Sequence, residues 1–178
     1  MLSVLNAHRV EYVIVGGIGS LIHGATRATQ DADIVIADDL KNVQNLSRAL
    51  HTLRARVRTD TDSIDDRNAE QAAGGRGWHT DDLEGTFLSV QTDAGPLDIL
   101  PSLRGPHGRV DYETLIEDAR TVVFTGDDAV TIKVASLQRI IESKRAADRP
   151  KDHEALPELE ALHNQQQPPE PDLGLDLF

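Results

Sequence analysis

The sequence predicts one α/β domain of the α+β kind: a mixed, mostly antiparallel sheet with flanking helices, followed by a small helical C-terminal region. Three observations carry this. Short apolar runs of strand length recur along the chain, several of them paired across Gly- or Asp-containing turns. Segments between them place apolar residues at helical spacing. The length of 178 residues suits a single domain, and 39% hydrophobic residues with only 3% aromatics imply an aliphatic core.

Leu2, Leu5 and Val10 suggest a short opening helix. Tyr12–Val15 is a compact apolar run stopped by Gly16-Gly17, which reads as a buried strand, and Ile18 to His23 then reads as helical. Asp31–Ile36 alternates acid and apolar residues and reads as a second strand. Asp38 or Asp39 can cap a helix whose Leu40, Val43, Leu46, Leu50 and Leu53 recur at helical spacing. The polar, glycine-rich stretch from Thr59 to Asp82 reads as a long loop or insertion.

Phe87–Thr92 and Leu97–Leu100 make a hairpin across the turn Asp93-Ala-Gly-Pro96. Thr121–Phe124 and Ala129–Ile132 make another across Gly126-Asp127-Asp128. Ser136 can cap a helix with Leu137, Ile140 and Ile141 on one face. Pro150 interrupts it, and a last helix is expected from about Lys151 to His163. The expected division is a core at 1–125, a hairpin and helical region at 126–164, and an unstructured acidic tail at 165–178.

Composition excludes several chemistries. With no cysteine there is no disulfide, zinc-thiolate site, iron–sulfur cluster or cysteine nucleophile. Three Phe, two Tyr and one Trp cannot build an extended base-stacking platform. The net charge of −12 excludes a uniformly basic nucleic-acid binder, although not a local basic face. No apolar run reaches membrane-span length, and the N-terminus shows no signal-peptide pattern, so a cytoplasmic location without membrane attachment is expected.

The chemistry concentrates in Val15-Gly16-Gly17, thirteen intervening residues, and Asp31-Ala-Asp33-Ile34. Carboxylates two apart on a strand share a face, where their repulsion is roughly 4 kcal/mol at 4 Å and a surface-like dielectric. A hard divalent cation removes that penalty and accepts phosphate oxygens too. Glycines at a strand-to-helix turn let backbone N–H groups approach an anion closely. Asp98, in Pro96-Leu-Asp-Ile-Leu100, supplies a third carboxylate on the same predicted sheet. Taken singly, Asp-x-Asp is a solvated strand face, Gly-Gly a turn, and Asp98 a surface acid; together they read as a nucleoside-triphosphate site. The histidines are scattered without ligand spacing, and His23 reads as a packing residue. Gly74-Gly-Arg-Gly77 reads either as an ordinary flexible loop, the commoner case, or as a loop that folds over a nucleotide. Arg48, Arg54, Arg56 and Arg58 form either a solvated face or a phosphate-tracking edge.

These residues resemble the DNA polymerase beta-like nucleotidyltransferase superfamily, whose signature is an apolar residue, Gly, Gly or Ser, a spacer, and acid–apolar–acid–apolar. Val13-Ile-Val-Gly-Gly-Ile-Gly-Ser20, His23-Gly24, Arg27, Thr29 and Asp31-Ala-Asp33 resemble its AbiEii-like toxin group, as do Val134-Ala-Ser-Leu137, Lys144-Arg145 and Arg149-Pro-Lys-Asp152. The resemblance covers about residues 10–160. It implies Asp31, Asp33 and Asp98 as ligands of Mg²⁺ or Mn²⁺, with Asp98 also serving the acceptor hydroxyl. It implies Gly16, Gly17, Ser20 and Arg27 around the triphosphate, Lys133, Lys144 and Arg149 as phosphate-neutralising cations, and Asp152 orienting one of them. Where many relatives carry Ser, Gly17 offers only backbone, and whether Ser20, one helical turn on, substitutes for that hydroxyl is left open by the sequence.

The function implied is transfer of a nucleoside monophosphate from a nucleoside triphosphate to an acceptor hydroxyl. The role implied is that of a toxin paired with an antitoxin, acting on the 3′ end of tRNA. The rivals are modification of a partner protein, as by an antitoxin-type enzyme, modification of a small molecule such as an antibiotic, and an inactive relative that only binds a partner.

Overall fold

The computed structural model describes residues 1–58, 87–125 and 129–166. The elements run α1 (Leu2–Ala7), β1 (Tyr12–Val15), α2 (Gly16–Ile22), β2 (Ala32–Ile36), α3 (Leu40–Thr52) and β3 (Arg56–Val57). After these come β4 (Leu88–Thr92), β5 (Gly95–Leu100), β6 (Leu103–Gly105), β7 (Gly108–Val110), α4 (Tyr112–Glu117) and β8 (Arg120–Phe124). The chain ends with β9 (Val130–Val134), α5 (Leu137–Ala147) and α6 (Pro150–Gln166).

Seven strands form one sheet in the order β3-β4-β5-β2-β1-β9-β8, and β6 and β7 form a separate small hairpin. The β1–β2, β3–β4, β4–β5 and β8–β9 pairs are antiparallel, whereas β1–β9 and β2–β5 are parallel. The sheet is thus mixed and mostly antiparallel with flanking helices, as the sequence predicts, and the helices cover both of its faces. The strand β1 is buried at all four residues because both faces are covered. On one face Ile14, Ile34 and Ile132 pack with Leu5 of α1 and with Val43, Leu46 and Leu50 of α3. On the other, Val13, Val15 and Val35 pack with Leu115, with Ile140 and Ile141 of α5, and with Leu159 of α6.

Local signals account for the helix ends. Asp39 caps α3 by accepting from the Asn42 amide at 3.0 Å, and Ser136 caps α5 by accepting from the Arg139 amide at 3.3 Å. Leu40, grouped by its spacing with the apolar face of α3, is instead 59% exposed. At 100° per residue it lies about 120° around the helix from Leu46, off the packed stripe. At the end of α5, Asp148 adopts a left-handed conformation (φ 52°), and Pro150 starts α6, where its missing N–H costs nothing.

The structure differs from the sequence reading in several places. Val10 lies outside α1, and α2 begins at Gly16 itself. The hairpin β6–β7, the helix α4 and the edge strand β3 were not foreseen. Thr121–Phe124 pairs antiparallel with the Val130–Val134 strand, close to the expected hairpin, whose Gly126–Asp128 turn lies outside the described residues; β9 also pairs with β1, with Ile14 opposite Val134. The division drawn at residue 125 therefore falls between two strands of one sheet. The loop expected at 59–82, the Gly74–Gly77 segment and the tail beyond residue 166 lie outside the described residues, whereas Gln165 and Gln166 end α6. Among the described residues, no helix is long and apolar enough to cross a membrane.

Candidate active site

The carboxylates meet through strand pairing. Antiparallel register sets Asp33 of β2 opposite Val15 at the end of β1. Parallel register sets Asp33 beside Asp98 of β5. Ser89 of β4 lies opposite Asp98, and its hydroxyl donates to the Asp98 carboxylate at 2.6 Å. Asp31 stands just before β2, half-exposed, with one oxygen 3.6 Å from the Arg58 guanidinium.

These residues border a cleft of about 840 Å³. Its carboxylate side is Asp31, Asp33 and Asp98 beside Gly16, Gly17, Ser20 and Thr29. Arg27, Lys144, Arg149 and Lys151 bring cations to the same lining, and Phe87, Leu100 and the Ser102–Arg104 segment complete it.

Gly16 is held at φ +59°, where only glycine sits without strain, and a Cβ there would collide with the Asp33 carboxylate. Gly16→Ala is accordingly expected to destabilise the fold by about 1–2 kcal/mol from its backbone alone. It should also displace Asp33 and remove transfer activity. Thermal unfolding and a turnover assay on the same preparation check this.

Burial pushes the Asp33 carboxyl up to about 6, with Asp98 and Asp31 adding repulsion while the Gly17 amide and the Lys151 ammonium oppose it. A carboxyl raised in this way lacks countercharge. Among the described residues, no three acids or histidines form a ready-made metal cage as their side chains lie. Asp31 faces Arg58, and Asp98 accepts from Ser89. Even so, the donor set of three hard carboxylates around an under-neutralised Asp33 fits a divalent cation of the Mg²⁺ type.

Asp152 is fully buried and gathers two cations of the cleft lining. Arg149 Nε donates to its Oδ2 at 2.7 Å, and Lys144 Nζ to its Oδ1 at 3.3 Å. Burial pushes the Asp152 carboxyl up, but the Arg149 hydrogen bond and charge, together with the Lys144 ammonium, outweigh it and hold the group below its ordinary value. Arg27 is tied to Glu154 at 2.7 Å, which latches the segment before β2 onto α6.

The structure thus brings Asp31, Asp33, Asp98, Gly16, Gly17, Ser20, Arg27, Lys144 and Arg149 to one cleft, with Asp152 behind the last two. It does not bring Lys133 there. That side chain is exposed on β9, two strands beyond β2, and donates to Thr121 Oγ1 of β8 at 2.7 Å. Ser20 borders the cleft, but its hydroxyl is spent on the Gly16 carbonyl at 2.9 Å.

His23 is a packing residue: buried, with Nε2–H donating to the Ala135 carbonyl at 2.8 Å. Burial lowers its pKa. In the arginine cluster, Arg54 pairs with Asp93 and Arg58 with Asp31. The sequence reading overlooked Ser89 as the support of Asp98 and Phe87 as the aromatic in the cleft lining among the described residues. Strand alternation from Ser89, opposite Asp98, would have found both.

Among curated proteins, none matches the sequence. The solution structure of the antibiotic-resistance factor ANT(2'')-Ia superposes with a TM-score of 0.49 at 14% identity, covering 92% of this chain and 85% of that one. The lincomycin-bound lincosamide antibiotic adenylyltransferase LnuA superposes with a TM-score of 0.48 at 14% identity, covering 88% and 90%. A family model described as nucleotidyl transferase AbiEii toxin, type IV toxin–antitoxin system, matches residues 3–153. With that match spanning most of the sequence, including every cleft residue named above, the chain belongs to the AbiEii nucleotidyltransferase family and is a nucleotidyl-transfer enzyme.

Proposed function

We propose that the enzyme moves a nucleoside monophosphate from a nucleoside triphosphate to the 3′-terminal hydroxyl of tRNA in a Mg²⁺-dependent reaction. It does so in the cytoplasm as the toxin of a toxin–antitoxin pair, with a cognate antitoxin as its partner. The observation that carries the chemistry is the meeting of three carboxylates and a wall of cations across one cleft. The cations favour a polyanionic donor and equally a polyanionic acceptor, which supports RNA over an uncharged small molecule.

Asp31, Asp33 and Asp98 would hold the metal, which supplies charge neutralisation at the reacting phosphate. Gly16 and Gly17 let the triphosphate approach the backbone. Lys144 and Arg149, fixed by Asp152, face the charge that grows on the departing pyrophosphate, and because they are positioned beforehand they need no reorganisation as the bond breaks. Asp98 is oriented by Ser89 so that one oxygen is available to the acceptor hydroxyl.

The test is incubation with each of the four α-labelled triphosphates, Mg²⁺, and either total tRNA or cell lysate. Label on tRNA that is lost after removal of the 3′ end is the expected result. Label on a protein or a small molecule would replace the acceptor, and no labelled species in any mixture would overturn the activity.

A further inference from the structure

The segment between α2 and β2 carries Thr29, one of the residues on which the family resemblance rests but one to which the sequence assigns no role. Thr29 borders the cleft and is half-buried. It lies directly on Gly17: a Cβ at position 17 would stand 2.8 Å from Thr29 Cβ, 2.8 Å from its Oγ1 and 2.9 Å from its Cγ2. Those distances are too short for any side chain at position 17 while Thr29 keeps its place. Position 17 is therefore glycine for a reason other than backbone conformation, and the volume a residue there would use is filled by a threonine from across the loop.

The hydroxyl of Thr29 is poorly employed within the protein. It donates to the Asp31 carbonyl at 3.4 Å, the long limit of a hydrogen bond. A half-buried donor with so weak a partner, two residues from Asp31 and in contact with Gly17, is poised for an anionic oxygen in the cleft.

The geometry points to Thr29 as a triphosphate-binding residue, its hydroxyl donating to a phosphate oxygen over Gly17 in place of a side chain at position 17. This rests on the reading of the cleft as a nucleoside-triphosphate site. Ser20, whose hydroxyl is already engaged with Gly16, is relieved of that role.

The test uses the full chain and Mg²⁺-tripolyphosphate as a base-free probe, followed by calorimetry, alongside KM and kcat for the triphosphate that labels. Thr29→Val keeps the shape and removes the hydroxyl. It should weaken probe binding about tenfold and raise KM by a similar factor, with kcat little changed, as expected for a contact made before the chemical step. Thr29→Ser should stay within about twofold of wild type. Gly17→Ser combined with Thr29→Gly moves the hydroxyl to the other partner of the pair and should recover most of the affinity that Thr29→Gly loses. This paired swap decides the matter if Thr29→Val fails to fold.

Wild-type affinity in Thr29→Val, or a swap no better than Thr29→Gly alone, overturns the inference and leaves the site reading standing. Failure of the wild-type protein to bind the probe or any triphosphate would instead bring down that reading.

Discussion

Replacing Asp33 by Asn should abolish transfer and, at the same time, make the ligand-free protein more stable. Asp33 stands between Gly16 and Asp98 at the inner end of the cleft, in a place no neighbouring strand residue can fill. Its loss should lower turnover by three orders of magnitude or more, to the background of the assay. Stability moves the other way because the folded protein holds this carboxyl at about 6 against an ordinary value near 3.8.

A raised carboxyl costs the fold nothing below the unfolded value, where both states are protonated. The cost grows between about pH 4 and 6 and is complete above 6. Full conversion would give about 3 kcal/mol. Partial solvent access to the cleft reduces that to about 2 kcal/mol. Melting temperatures of wild type and Asp33→Asn should therefore coincide near pH 4 and separate in favour of the variant by pH 7. Mg²⁺ should stabilise only the wild type. A variant that is less stable at pH 7, or that keeps turnover, would remove Asp33 from the centre of the site.

The second large effect is expected at Asp152. Its carboxylate is fully buried behind the cleft and holds both Lys144 and Arg149. Asp152→Ala frees two cations that must then find water or other acids, at a cost of about 2 kcal/mol. It should also cut kcat by about a hundredfold, because the cations facing the leaving group lose their fixed positions. Lys144→Ala should reproduce most of the catalytic loss with less of the instability.

Lys133→Ala should leave turnover within about twofold, because its ammonium is engaged with Thr121 outside the cleft. As the Asp152 carboxyl is held below its ordinary value, its contribution is present at neutral pH. That contribution is lost as the pH falls below about 4 and the carboxylate takes its proton. Acid unfolding should accordingly show a smaller step in Asp152→Ala than in wild type. Equal catalytic losses at Lys133 and Lys144 would remove the case for this wall of the cleft.

Local chemistry along the chain was enough to predict much of this. The four-residue apolar run ending in Gly16-Gly17, the acid–apolar alternation from Asp31, and the caps at Asp39 and Ser136 each act over one turn or one strand, and all reappear in the fold. The three acids were legible because Asp31 and Asp33 are neighbours in sequence and Asp98 lies in its own apolar run. The strands β3, β6 and β7 span only two or three residues, too few to display an alternation, and α4 is less than two turns long; none of them is legible in the sequence.

Strand order was decided only in three dimensions. Parallel pairing of β2 with β5 sets Asp98 beside Asp33, and the insertion of β9 next to β1 carries Lys133 away from them. Both are non-local choices, made by which apolar faces can be buried together, and no short window of sequence encodes them. The same holds for Arg58 against Asp31, for Thr29 in the space above Gly17, and for Asp152 closed in behind two cations. A charge or a hydroxyl acquires its partner from the neighbours that packing brings, so the residue types were visible in the chain while their roles depended on the sheet and the helices that close over it.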